Sequence, residues 1–225
     1  NRLYGFTNKN ITKDESDVRL VRSPSGEDGW LVNDFRGENK ANLGGRSSTP
    51  THNNWEIVST ASAGGINVRS GTFEQSRANP EWAFLGDEIG GKLFYTENLS
   101  SATPTWTELP NAPKASLYRI STHQYNENII VIATAGSDSA TNTCVYISKN
   151  KGETWTKRAS FPQMSPKSVL IDKNTSEGIY VLTGVTVYYI DENLTEWVEF
   201  NKGLPLQNHT DMRIAYYPNN DNRLY

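Results

Sequence analysis

Ser148-Lys149-Asn150-Lys151-Gly152-Glu153-Thr154-Trp155 lies between an alternating strand, Thr143 to Ile147, and a second strand opening at Trp155. This arrangement predicts a β-hairpin with a specialised turn. A polar side chain at the third position accepts hydrogen bonds from backbone N–H groups of the tight turn. The glycine two residues later supplies positive φ, and the tryptophan anchors the turn on the sheet.

Degraded copies of the stretch recur. Around Trp197 the chain runs Val187-Tyr188-Tyr189-Ile190-Asp191-Glu192-Asn193-Leu194-Thr195-Glu196-Trp197, with the same strand, polar turn and tryptophan but no glycine. Around Trp106 it runs Leu93-Phe94-Tyr95-Thr96-Glu97-Asn98, a few extra residues, then Thr105-Trp106-Thr107-Glu108. A weaker copy is Val18 to Ser23 followed by Gly29-Trp30. Trp106, Trp155 and Trp197 are 49 and 42 residues apart, the length of one four-stranded unit. An apolar strand precedes each hairpin, at Trp82 to Leu85, Ile129 to Ala133 and Ile179 to Leu182. A further strand is expected near Ile66 to Thr72, Leu117 to Thr122, Ser168 to Ile171 and Met212 to Tyr216. Alternation, β-branched residues and Gly, Asn, Asp or Pro punctuation mark these as short antiparallel strands, and no segment carries a long helical stripe.

The spacing from Ser148 to Trp155 resembles the Asp-box, or BNR repeat, S-x-D-x-G-x-T-W, with Asn150 in place of the aspartate. The asparagine carbonyl oxygen still accepts. The resemblance implies that Ser148, Asn150, Gly152, Thr154 and Trp155 are structural and sit on the outer hairpin of a β-propeller blade. The expected fold class is therefore all-β: a β-propeller of four-stranded antiparallel blades, about four of them present, as part of a larger ring. The blade segments are residues 1–62 with an insertion at 33–61, then 63–112, 113–163 and 164–208, with 209–225 starting another. Asn1-Arg2-Leu3-Tyr4 recurs as Asn222-Arg223-Leu224-Tyr225, so the two copies mark equivalent points of the repeat. Trp197 to Pro205, which reads W-x-x-x-x-x-G-L-P, and Met212 to Tyr225 after it resemble the blade junction of sortilin-like, xyloglucanase-like and secreted Bacteroidota propellers. That resemblance implies an extracellular or cell-surface setting.

Composition fits such a chain. Its 225 residues, 36% hydrophobic and 11% aromatic, suffice for a substantial core. A formal net charge of −3 and dispersed charges give no basic field, which argues against nucleic acid as a partner. No apolar stretch is long enough to span a bilayer, and Asn1 opens no signal peptide, so a mature or truncated chain is expected. Cys144 is the lone cysteine and permits no intrachain disulfide; its strand position suits a buried small hydrophobe. Sequons at Asn10, Asn98, Asn174, Asn193 and Asn208 permit glycosylation.

Candidate functional residues fall in two groups. The 33–61 insertion holds Arg36, Arg46, His52 and Trp55, which can present a charged and aromatic surface to a sugar or peptide. A solvated loop covering an edge is the equal alternative. Arg69, Arg119 and Arg213 fall in or near three of the proposed innermost strands, and convergent guanidinium groups suit a carboxylate. Sialidases carry Asp-boxes and such an arginine cluster, but this chain has neither an F-R-I-P segment nor a clear Tyr/Glu nucleophile pair.

Other catalytic signals are thin. Gly44-Gly45 matches no phosphate loop. His52, His123 and His209 lie far apart and form no zinc motif, so no metal or cofactor is expected. Asp87-Glu88 and Asp191-Glu192 are neighbours whose side chains point to opposite strand faces, and the second pair belongs to a structural hairpin. The expected function is a binding or adhesion module, with a polysaccharide or protein ligand and with the remaining blades of the same polypeptide as partners. A glycoside hydrolase, xyloglucanase-like or sialidase-like, with catalytic parts outside the chain is the alternative. It requires two carboxylates facing each other across a cleft.

Overall fold

A computed structural model describes residues 4–8, 18–22, 56–57, 71–87, 91–114, 117–135, 143–159, 161, 166–203, 210–216 and 222–224. The chain divides into two compact units, one of Asn1–Arg69 with Ser100–Trp106, the other of Ser70–Leu99 with Thr107–Tyr225. All regular elements among the described residues are strands.

In the first unit, β1 (Tyr4–Asn8), β2 (Val18–Arg22) and β3 (Glu56–Ile57) form one antiparallel sheet in chain order. β2 pairs with β3 through Val21↔Ile57 and Arg22↔Glu56. This corrects the expected hairpin from Val18 to Trp30. The long insertion falls inside the hairpin, so the tryptophan that precedes the outer strand in sequence is Trp55. Trp30 and Trp55 lie outside the described residues, but the 51-residue interval from Trp55 to Trp106 matches the later spacings.

The second unit contains three four-stranded antiparallel meanders. The first comprises β4 (Gly71–Gln75), β5 (Ala83–Asp87), β6 (Lys92–Thr96) and β7 (Thr107–Glu108). The second comprises β8 (Leu117–Thr122), β9 (Ile130–Ala135), β10 (Cys144–Ser148) and β11 (Thr156–Lys157). The third comprises β12 (Ser168–Ile171), β13 (Ile179–Leu182), β14 (Val187–Ile190) and β15 (Val198–Glu199). A two-stranded sheet, β16 (Ile214–Tyr216) and β17 (Asn222–Leu224), follows. Trp106, Trp155 and Trp197 stand immediately before β7, β11 and β15, the outermost strand in each case.

Side-chain alternation explains why the middle strands read as continuous apolar runs. On β9, Ile130 and Ile132 enter a core with Phe84, Leu93, Leu109 and Trp155, between the first and second sheets. Val131 and Ala133, pointing the other way, join Val145, Ile147, Val169, Ile179, Val181 and Tyr188 between the second and third. Each face of the second sheet is thus a core face. The first strands lie side by side, with β8 next to both β4 and β12. Three blade-like sheets therefore stack face to face with their inner strands converging. Cys144 is only half-buried, against the expectation of full burial.

Candidate functional site

The inner strands converge on a cleft of about 170 Å³, lined by Thr72, Glu74, Arg77, Arg119, Lys167, Asp211 and Arg213 among others. Four consecutive repeats each contribute one cation. Arg119 lies within β8, Arg77 just beyond β4, and Lys167 and Arg213 in the residue immediately before β12 and β16.

Arg119 also ties the sheets together. Its Nε donates to the Lys167 carbonyl oxygen at 2.9 Å and its Nη1 to Thr72 Oγ1 at 3.4 Å, so one guanidinium reaches both neighbouring repeats. Arg213 is 70% exposed and pairs with Asp211 through Nη2 and Oδ2 at 2.9 Å. The second Asp211 oxygen accepts from the Met212 N–H at 2.8 Å, which fixes the carboxylate at the cleft margin.

Glu74 is the more enclosed carboxylate of the cleft, half-buried with a side chain 22% exposed against 51% for Asp211. Burial pushes its pKa above the usual carboxylate value; Arg77, hydrogen bonds from Thr122 and the charge of Arg213 oppose this. Arg77 Nε stands 3.8 Å from Oε1, and Thr122 Oγ1 donates to the same oxygen at 3.4 Å. Thr122 Oγ1 in turn accepts from the Arg77 N–H at 3.2 Å, so the hydroxyl holds both acid and base in register.

Of the residues singled out in the sequence, Arg119 and Arg213 meet in this cleft. Arg36, Arg46, His52, Trp55 and Arg69 lie outside the described residues. Glu74, Arg77, Lys167 and Asp211 were missed. Aligning the repeats on their inner strands would have revealed Lys167, which occupies the same pre-strand position as Arg213.

The 148–155 turn is held by its own side chains. Ser148 Oγ accepts from the Gly152 N–H at 2.8 Å and donates to Asn150 Oδ1 at 3.0 Å. Asn150 Oδ1 accepts from the Thr154 N–H at 2.9 Å, and Nδ2 donates to Thr154 Oγ1 at 2.9 Å. Lys151 and Gly152 both have positive φ, 58° and 89°. Trp155 packs at the edge of the core between the first and second sheets. The turn is a structural device, with no reacting group.

Other polar residues raised by the sequence also prove structural. His123 is buried, and its Nδ1 accepts from the N–H groups of Tyr125 and Asn126, both at 3.1 Å. Asp191 accepts from the Tyr189 hydroxyl at 3.0 Å and from the Asn193 N–H at 2.9 Å, so it holds its turn. Among the described residues, no three His, Cys, Asp or Glu side chains gather into a metal-binding group.

No protein-family model and no curated protein matches the chain. Solved structures similar to it include an ancestral GH74 enzyme, at 14% identity and a TM-score of 0.47, covering 74% of this chain and 29% of that one. The GH74 enzyme of Niastella koreensis is 15% identical with a TM-score of 0.47, covering 88% and 22%. YCF48 bound to a D1 peptide is 16% identical with a TM-score of 0.39, covering 57% and 44%. The chain thus spans less than half the length of each of these structures.

Proposed function

We propose that this chain is part of an Asp-box β-propeller, extracellular or on a cell surface, that binds a polysaccharide or protein at the cleft where its inner strands converge. The observation that carries this reading is the cleft's set of cations, Arg77, Arg119, Lys167 and Arg213, against two carboxylates, Glu74 and Asp211. The surplus of positive charge, set among apolar walls, favours an acidic group on the ligand. Both carboxylates face an arginine, an arrangement suited to holding a ligand rather than to moving a proton.

Binding of acidic and neutral polysaccharides and of acidic peptides, measured by calorimetry at two salt concentrations, tests the reading. Lys167→Ala with Arg213→Ala should weaken binding of an acidic ligand by about tenfold, the effect of removing charge-assisted contacts. Arg119 is unsuitable for this test because it also links the sheets. Equal affinity for acidic and neutral ligands, unchanged in the double variant, would sink the idea.

One observation favours glycoside hydrolysis as a second reading. Glu74 is held toward its protonated form in the cleft that Asp211 also lines, and a general acid with a second carboxylate is what that reaction requires. Sustained sugar release that Glu74→Gln abolishes would select it; no release with plant or sialylated polysaccharides would eliminate it.

A further inference from the structure

Glu74 lies where the apolar core between the first and second sheets opens into the cleft. Opposite it on β5 is Phe84, which packs with Ile120 of β8 in that core. The carboxylate therefore has hydrocarbon on one side and the cleft cations on the other. Its own partners are loosely set: Arg77 Nε stands at 3.8 Å, beyond hydrogen-bond reach, and Thr122 Oγ1 at 3.4 Å. Asp211 is more exposed and more firmly held, by Arg213 at 2.9 Å and by the Met212 N–H at 2.8 Å. Of the two carboxylates, Glu74 is the one that loses its charge at the lower cost.

The Thr122 hydroxyl suits Glu74 in either charge state. Its oxygen accepts from the Arg77 N–H at 3.2 Å, and its proton reaches both Glu74 Oε1 and the Gln75 carbonyl oxygen, each at 3.4 Å. With Glu74 ionised, the hydroxyl donates to the carboxylate. With Glu74 protonated, the carboxyl O–H donates to the second lone pair of Thr122 Oγ1, and the hydroxyl turns to the Gln75 carbonyl. Both states keep the Glu74–Thr122 contact hydrogen-bonded without moving the backbone.

Resting on the reading of the cleft as a site for an acidic ligand, we propose that the ligand's anionic group enters together with one proton, which Glu74 takes up from water and keeps. None passes to the ligand. Around Glu74 stand Thr72 and Arg77 from its own repeat, Arg119 and Thr122 from the next, Lys167 ahead of β12, and Asp211 and Arg213 ahead of β16. The neighbouring His123 is engaged by its own turn. An ionised Glu74 competes with the ligand for these cations. The arriving anion adds a like charge and displaces water beside a carboxylate that burial already pushes above its ordinary pKa, and both effects favour the protonated form. Binding therefore tightens as pH falls through the Glu74 titration and weakens as pH rises through it.

Titration calorimetry of the 225-residue chain with dextran sulfate, whose charge does not titrate in this range, tests the coupling, with neutral dextran as control. Run from about pH 4.5 to about pH 8 in amine buffers of different ionisation enthalpy, it counts the protons taken up. Wild type should take up as much as about one proton per site, with affinity falling up to about tenfold per pH unit through that window. Glu74→Gln should bind without uptake, with an affinity flat in pH and above that of wild type at neutral pH. Thr122→Val removes a hydrogen bond to the ionised form and should move the uptake to higher pH, which identifies Glu74 even if the glutamine variant does not fold. Binding without uptake, or uptake that survives Glu74→Gln, would overturn this inference and leave the binding site standing. Absence of binding at every pH, or binding unchanged in Lys167→Ala with Arg213→Ala, would remove the reading on which it rests and the inference with it.

Discussion

Gly152 presents bare backbone to Leu109: a Cβ built on the glycine would stand 2.8 Å from Leu109 Cδ1. Leu109 follows the outer strand of the first sheet, and Gly152 turns the outer hairpin of the second. One position therefore satisfies both a local and a tertiary demand, a φ of 89° and close approach between sheets.

Gly152→Ala should destabilise the protein by roughly 2–4 kcal/mol, combining left-handed backbone strain with overpacking. Gly203 separates the two contributions, because its φ is 85° but none of the described residues lies within 4 Å of the added Cβ. Gly203→Ala should cost only roughly 1–2 kcal/mol. Urea denaturation of both variants decides; equal losses would mean that the contact with Leu109 carries no energy.

Asn150→Ala leaves the Thr154 N–H and the Ser148 hydroxyl without their shared acceptor. A loss of about 1–3 kcal/mol is expected. Asn150→Asp should lie within about 1 kcal/mol of wild type, because the carboxylate still accepts from that N–H and the Thr154 hydroxyl can reverse to donate. Similar losses in the two variants would show that the turn does not depend on an acceptor at this position.

Trp155→Ala should cost roughly 3–5 kcal/mol, since the indole packs with the core between the first and second sheets. Trp197 adds a polar link, its Nε1 donating to the Ala159 carbonyl at 2.9 Å. Trp197→Phe keeps an apolar ring but should still lose roughly 0.5–1.5 kcal/mol with that bond. Denaturation midpoints that leave Trp155→Ala near wild type would refute the anchoring role.

Two carboxylates should pull the pH dependence of stability in opposite directions. Glu177 is held below its ordinary pKa by its hydrogen bond and ion pair with Lys149, with Arg158 adding to the effect against the opposing influence of burial. Its contribution is present above the unfolded-state value and disappears as pH falls through the lower folded value, so Glu177→Gln should flatten the acid limb. Glu74 is raised by burial, and its folded form keeps a proton that the unfolded chain has already lost. Stability should therefore fall as pH rises from the unfolded value to the folded one and stay level above it; Glu74→Gln should remove that fall. Unfolding midpoints across the acid range, for wild type and both variants, would show it; identical profiles would contradict both assignments.

The sequence alone determined the strand repeat, because alternation and turn chemistry are local properties of the chain. Ser148 to Trp155 specified its own hairpin through hydrogen bonds spanning only a few residues. The run Ile129 to Ala133 announced an apolar strand, and the structure buries both of its faces. Only the tertiary structure decided that β2 pairs with Glu56–Ile57, since a long insertion inside a hairpin hides which tryptophan closes it and Trp30 was the nearer one. It alone brought Glu74, Arg77, Lys167 and Asp211 to Arg119 and Arg213. Those residues are separated by whole repeats, and their convergence depends on how stacked sheets place their inner strands, which no local pattern encodes.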